Sequence, residues 1–125
     1  MAKLILIVDD TEAIRRTLCR SFNSEADFEV CGEAENGQQA IERAQELHPD
    51  LIVLDLSMPV MNGLDAARVL RSLMPTVPVI MFSEYSDVIS EEDANSAGLS
   101  ALVSKAEHIS VLVGKARALL YPIAA

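Results

Sequence analysis

Short, nearly continuous apolar runs alternate with longer amphipathic segments along the whole chain, and this alternation restricts the fold more than any single motif does. Leu4 to Val8, Leu51 to Leu54 and Val77 to Phe82 read as strands covered on both faces. Glu29 to Ala34 mixes apolar and polar residues and reads as an edge strand, and Leu99 to Val103 supplies a fifth. Thr11 and Asn36 stand where helix N-caps belong. The helices they open carry inner stripes of Ile14, Leu18 and Phe22, then of Ala40, Ile41, Ala44 and Leu47, with His48-Pro49-Asp50 closing the second. A third helix spans Gly63 to Leu73, with Leu64, Ala67 and Leu70 or Leu73 inward, and Pro75 and Pro78 flank the turn that follows. Asp87 to Ala97 is the weakest helix, because only Val88, Ile89, Ala94 and Ala97 form its apolar edge. The last helix, Ile109 to Leu120, turns Ile109, Leu112, Val113, Ala116 and Leu119 or Leu120 inward.

Strict alternation of five strands and five helices implies right-handed crossovers and an α/β, doubly wound, five-stranded parallel sheet in the order 2-1-3-4-5, a three-layer sandwich. No linker-like or repetitive tract interrupts residues 1–125, which read as one domain with half of its residues available for a core. Ten Lys and Arg against nineteen Asp and Glu give a net charge of −9. Such a surface repels a phosphate backbone, so direct nucleic-acid binding by this chain is not expected. The apolar runs fall far short of the roughly 20 residues that span a bilayer, and no basic-then-apolar leader is present, which predicts a soluble, cytoplasmic protein without membrane contact. Cys19 and Cys31 lie in no metal-ligating spacing and read as reduced core residues.

On a parallel doubly wound sheet, ligands bind at the carboxyl ends of the strands. Here those ends are Asp9-Asp10, Asp55, Ser83 and Ser104-Lys105, whereas Glu35 and Asn36 end the edge strand too far out to join them. Any one of these residues alone reads as a cap or a surface group. As a set they demand a cation, because carboxylates about 5 Å apart repel by roughly 3 kcal/mol per pair at an effective dielectric near 20. A hard ion with oxygen ligands, Mg²⁺, answers that demand and characteristically keeps waters and a phosphate besides one or two carboxylates. Three carboxylates, Mg²⁺ and the Lys105 ammonium are formally neutral, so the site can accept an acyl phosphate with only a small excess of charge. Asp9 and Asp10 share the ion, which leaves Asp55, alone at the end of the central strand, as the nucleophile for phosphoryl transfer. Lys105 pairs with phosphate oxygens, and Ser83 donates a hydrogen bond to one of them.

Ile7-Val8-Asp9-Asp10, Asp55-Leu56-Ser57-Met58-Pro59-Val60-Met61-Asn62-Gly63, Phe82-Ser83 and Val103-Ser104-Lys105, in that order, resemble the bacterial response-regulator receiver domain of two-component signalling. The likeness covers essentially the whole chain. It implies the flavodoxin-like fold, Asp55 as phosphorylation site, Asp10 as direct Mg²⁺ ligand, Asp9 as a ligand through water and the Ser57 main-chain carbonyl as a further ligand. Ser83 and Lys105 become the phosphate-sensing pair. A sensor histidine kinase or phosphotransfer protein is the implied phosphodonor. The chain catalyses only its own phosphorylation and dephosphorylation, so it is not expected to be an enzyme in the turnover sense. The response is a population shift at the face of the fourth helix, fifth strand and fifth helix. Segments around Met81 to Asp87 and Gly98 to Leu120 are similar to receivers of the LuxR/NarL type. That likeness implies transcription regulation through an output domain beyond Ala125, with a separate effector protein or a homodimer as the other arrangements.

Three positions depart from the commonest family pattern. Leu102 replaces the usual switching aromatic, with Tyr85 as a neighbouring ring; Ala106 follows the lysine where proline is usual, which favours a trans or reshaped loop; and Glu84 sits where a small residue is common. These departures motivate an alternative, a receiver-like interaction module that works without phosphorylation. A haloacid-dehalogenase-type phosphatase fits less well, since no second Asp lies two residues after Asp9. His48 and His108 read as surface or capping groups. Arg15, Arg16 and Arg20 read as a solvated basic face bordering the site, with kinase docking as the functional reading.

Overall fold

The computed structural model of the protein describes residues 1–84 and 89–122. Strand β1 (Lys3–Val8) lies between β2 (Phe28–Ala34) and β3 (Leu51–Leu54), followed by β4 (Val79–Ser83) and β5 (Ala101–Ser104). All pairings are parallel and the order is 2-1-3-4-5, as the alternation of elements requires. Helices α1 (Glu12–Asn23) and α5 (Ile109–Leu120) cover one face; α2 (Gly37–Leu47) and α3 (Gly63–Leu73) cover the other; the short α4 (Glu91–Ser96) follows β4.

Period-two alternation in the strands divides the core into two layers. Ile5, Ile7, Leu51, Val53, Ile80 and Val103 pack with Leu18, Phe22 and Leu112 on one side of the sheet. Leu6, Val8, Ile52, Leu54 and Met81 pack with Ala40, Ala44, Ala67 and Leu70 on the other. Each fully buried large side chain contributes roughly 1.5–3 kcal/mol by leaving water. β2 occupies an edge, and its register with β1 slips between Ile5 and Leu6, which leaves Cys31 as the extra residue. Cys19 and Cys31 are free, partly buried thiols packed against opposite layers.

Several expectations need correction. Thr11 holds the N-cap position of α1, but its side chain makes no capping bond; its own amide donates to the Asp9 carboxylate. β4 starts at Val79 rather than Val77, because the Val77 amide is taken by Met74 in the preceding turn and Pro78 has no amide to donate. β5 starts at Ala101 rather than Leu99, whose amide returns to Ala94 to close α4. Leu70, not Leu73, completes the inner stripe of α3, and Leu120, not Leu119, packs against the core from α5. Within the described residues the fourth helix begins at Glu91, capped by Ser90, whose hydroxyl accepts from the Asp93 amide. Val88 and Tyr85 lie outside the described residues. Asn36 caps α2 as expected, and the His108 ring accepts from the Ser110 amide to cap α5.

Candidate functional site

Register, not proximity in sequence, assembles the site. Val8 pairs with Leu54, Leu54 with Met81, and Met81 with Leu102, so the residues that follow leave the sheet at one level. Asp9 and Asp55 therefore emerge side by side, with the Asp55 amide donating to the Val8 carbonyl. Ser83 pairs with Ser104 at the ends of β4 and β5, and the Lys105 amide donates to the Ser83 carbonyl, which carries the lysine over the strand ends.

Asp9, Asp10 and Asp55 each offer a carboxylate oxygen within 4.8 Å of the others. Asp9 and Asp55 are buried, at 1% and 5% exposure, and Asp10 faces solvent. Lys105 Nζ lies 2.7 Å from Asp9 Oδ2 and 3.3 Å from Asp55 Oδ1. Asp9 Oδ1 accepts from the Thr11 amide at 2.9 Å, and Asp55 Oδ1 accepts from the Leu56 amide at 2.9 Å. Asp9 thus has both oxygens engaged, whereas Asp55 Oδ2 accepts from no described residue. Ser83 is completely buried. Ser57 is exposed in the loop after Asp55.

Burial, reinforced by the Asp9 charge, pushes the Asp55 carboxyl up from 3.8 to about 6, against the pull of Lys105 and the Leu56 amide. Burial works against the charged form of Lys105 as well, yet the hydrogen bond to Asp9 and the charges of Asp55 and Asp9 outweigh it and raise its pKa. One ammonium is therefore shared between two buried carboxylates, with a third at the rim. This donor set is all oxygen, anionic and open to solvent on the Asp10 side, which suits Mg²⁺ better than a thiophilic or imidazole-preferring metal.

Glycine at position 63 makes the loop after Asp55 fit. A Cβ there would meet the Asp55 carbonyl oxygen at 2.1 Å, and the Gly63 amide donates to the Leu56 carbonyl at 2.8 Å. The N-terminus of α3, capped by Asn62, is thereby pressed against the backbone of Asp55.

The unusual positions leave this geometry intact. No described peptide bond is cis. The Ala106 amide donates to Ser104 Oγ, a bond that proline could not make, and the Glu107 amide closes the turn onto the Ser104 carbonyl. Glu84 is exposed, and Leu102 packs partly buried beside the layer that holds Met81. Arg15 requires a correction. Its guanidinium is turned inward, with a side-chain exposure of 15%, onto Glu33 and the Asp9 carbonyl, whereas Arg16 pairs with Glu12 in solvent and Arg20 is exposed.

A family profile described as the response regulator receiver domain matches residues 5–117. The chain belongs to that family. Among solved structures, the response regulator domain of Thermotoga maritima CheB superposes with a TM-score of 0.84 at 28% identity, covering 95% of this chain and 97% of that one. A LuxR-family two-component response regulator from Aurantimonas sp. gives 0.88 at 27% identity, with coverages of 96% and 86%. Among curated proteins, a protein-glutamate methylesterase/protein-glutamine glutaminase of Nocardioides sp. is 36% identical over 107 residues, which is 84% of this chain and 29% of that protein. Its counterpart from Pyrococcus horikoshii is 51% identical over 79 residues, 63% of this chain and 21% of that protein. The chain spans less than a third of the length of these relatives, and the named activities are theirs. Likeness to a LuxR-family regulator is thus matched by likeness to the CheB response regulator domain. This receiver domain is a phosphoacceptor module of two-component signalling. None of its described helices is long and apolar enough to cross a membrane.

Proposed function

We propose that residues 1–125 act as one cytoplasmic receiver unit that takes a phosphoryl group onto Asp55 in a Mg²⁺-dependent reaction. The observation that carries this reading is the pairing of one partly buried ammonium with two buried carboxylates beside a third, exposed one. Asp10 and Asp55, with the Ser57 main-chain carbonyl, would hold the ion directly. Asp9, whose two oxygens are already engaged, would hold it through water. When bound, Mg²⁺ supplies positive charge to the oxygens of the transferring group.

The chain's own residues do the rest. Asp55 Oδ2, which has no donor among the described residues, attacks phosphorus; the bond from phosphorus to the donor imidazole nitrogen breaks, and its electron pair stays on that nitrogen. Lys105 shifts from the carboxylates toward the new phosphate oxygens, and the Ser83 hydroxyl donates to one of them. An Asp55 carboxyl raised to about 6 is still mainly ionised near neutral pH, and so remains nucleophilic. The phosphorylated surface then acts on a partner, which is an output domain, a separate effector or a second receiver.

Incubation with Mg²⁺ and acetyl phosphate, or with a cognate kinase, is expected to add one labile phosphoryl group, read by intact-protein mass. Asp55→Asn should abolish it, and removal of Mg²⁺ with EDTA should reduce it to background. Absence of any adduct with both donors would overturn the reading in favour of an interaction module that works without phosphorylation.

A further inference from the structure

We propose that Arg15 is a positioning residue that orients Asp10 by holding the peptide between Asp9 and Asp10. The inference rests on the reading of the acidic cluster as a Mg²⁺ site.

Arg15 lies in the first half of α1, and its Nη1 donates to the main-chain carbonyl of Asp9 at 2.8 Å. Its Nε donates to Glu33 Oε1 at 3.1 Å, at the end of β2. Every other polar group of Asp9 is also engaged: its amide by the Ala34 carbonyl, Oδ1 by the Thr11 amide, and Oδ2 by Lys105. Asp10 differs. Its carboxylate is exposed and has no hydrogen bond or ion pair to a described residue, so its direction is set by the backbone from which it projects. The carbonyl that Arg15 grips belongs to the same planar unit as the Asp10 amide. Fixing that carbonyl fixes the plane, and with it the point from which the Asp10 carboxylate reaches the ion.

Glu33 serves Arg15 in turn. It sits half-exposed on β2 and orients the guanidinium fork, so that one nitrogen faces the strand and the other the Asp9 carbonyl. The chain Glu33, Arg15, Asp9 carbonyl therefore ties α1 and β2 to the turn that carries two of the three carboxylates. Arg15 is thus removed from the basic patch that a kinase could dock against.

The sign of the effect separates positioning from simple charge. A cation near a Mg²⁺ site opposes the ion, so if Arg15 acted only through its charge, its removal would tighten Mg²⁺ binding. If it positions Asp10, removal weakens binding. Residues that hold metal ligands in place typically change affinity by about tenfold or more when lost. Isothermal titration of Arg15→Ala with Mg²⁺ is therefore expected to give a Kd about tenfold higher than wild type, and Glu33→Gln a smaller rise in the same direction. Saturating Mg²⁺ should restore the rate of phosphorylation by acetyl phosphate. In the metal-free variant, the ¹⁵N order parameter of Asp10 should fall toward about 0.6 from a rigid value near 0.85. Arg15→Lys keeps the charge but lacks the fork, and is expected to weaken binding by an intermediate factor; it also serves as the readout if Arg15→Ala does not fold. Equal or tighter Mg²⁺ binding in the variants, with a wild type that binds normally, overturns the inference. A wild type that binds no Mg²⁺ overturns the underlying reading instead.

Discussion

The two halves of the sheet's carboxyl edge are built to different standards of rigidity. At the ends of β1 and β3, Asp9 and Asp55 are buried, and Asp9 is held by hydrogen bonds at every polar group. Beyond β4, the helix α4 is six residues long and buries no side chain, whereas α2 on the same face buries Ala40, Ile41 and Ala44. What retains α4 is local: acidic residues Glu91, Glu92 and Asp93 at its N-terminus, the Ser90 cap, and Arg71 donating from α3 to the carbonyls of Asn95 and Ser96 at its C-terminus. A site for phosphoryl transfer needs its carboxylates at fixed separation. An element held mainly by local bonds of the kind that retain α4 can open at a cost below that of global unfolding.

The contrast predicts its largest effect in the core. Leu54 is completely buried in the strand that delivers Asp55, so Leu54→Ala should cost about 2–5 kcal/mol in chemical denaturation. A cost below 1 kcal/mol would show that the Asp9/Asp55 half is no better packed than α4.

A smaller effect has the opposite sign. Asp55 has a folded-state pKa of about 6 against an ordinary 3.8, so the metal-free fold binds its proton more tightly than the unfolded chain does. The stability this confers is complete below pH 3.8, declines between 3.8 and 6, and is absent above 6, where the ionised carboxylate is instead a burden. Asn at position 55 cannot ionise. Asp55→Asn should therefore unfold like wild type near pH 4 but be about 1–2 kcal/mol more stable near pH 7.5 without metal. Mg²⁺ should narrow that gap by stabilising the wild type. Urea titrations at the two pH values measure both; an unchanged difference across them would mean that burial of Asp55 carries no electrostatic cost.

Most of this half was legible in the sequence, because strand identity and the rule of carboxyl-end binding together place Asp9, Asp10, Asp55, Ser83 and Lys105 at one edge. Legibility failed where a side chain chose between two partners of similar distance. Arg15 reads as one of three arginines on a helix surface, and only the three-dimensional position of Glu33 and of the Asp9 carbonyl turns it inward. The one available hint was its spacing of six residues from Asp9, which returns it over the end of β1 after the first turn of α1. Thr11 also misled: a hydroxyl at an N-cap is a sound expectation, yet its side chain makes no capping bond, while its own amide donates to Asp9 Oδ1. The starts of β4 and β5 were misplaced because apolarity continues through Val77 and Leu99, while their amides are spent in turns.

Weaker still is the tie between α3 and α4. Arg71→Ala removes the two donations to the α4 carbonyls, at 3.2 and 3.3 Å, and is expected to lower the local opening free energy of α4 by about 0.5–1 kcal/mol. Amide exchange at Ala97 and Gly98, whose N–H groups close that helix, should accelerate several-fold while the global unfolding midpoint barely moves. Matching shifts in both would mean that α4 is part of the cooperative core, and the division drawn between the two halves would fail.

The smallest expected effect lies on the well-ordered side and tests whether it is free of strain. Val60 has φ of +68° and is 82% exposed, in the loop between Asp55 and α3, while the Met61 amide donates back to the Pro59 carbonyl at 2.7 Å. A three-residue turn with a β-branched residue at positive φ is unfavourable, since the left-handed region costs an L-residue about 1–2 kcal/mol. At another left-handed position, after α4, the chain uses Gly98 at φ +74°, where a Cβ would also meet Arg71 Cδ at 2.5 Å. No such contact explains valine at position 60. Val60→Gly relieves the strain but adds freedom to the unfolded chain, worth about 0.5–1 kcal/mol in the other direction. The net expectation is a gain of about 0.5 kcal/mol, measurable as a shift of the urea midpoint. If the variant loses stability, the loop's rigidity depends on valine itself, and the Asp9/Asp55 side is more finely balanced than its buried carboxylates alone imply.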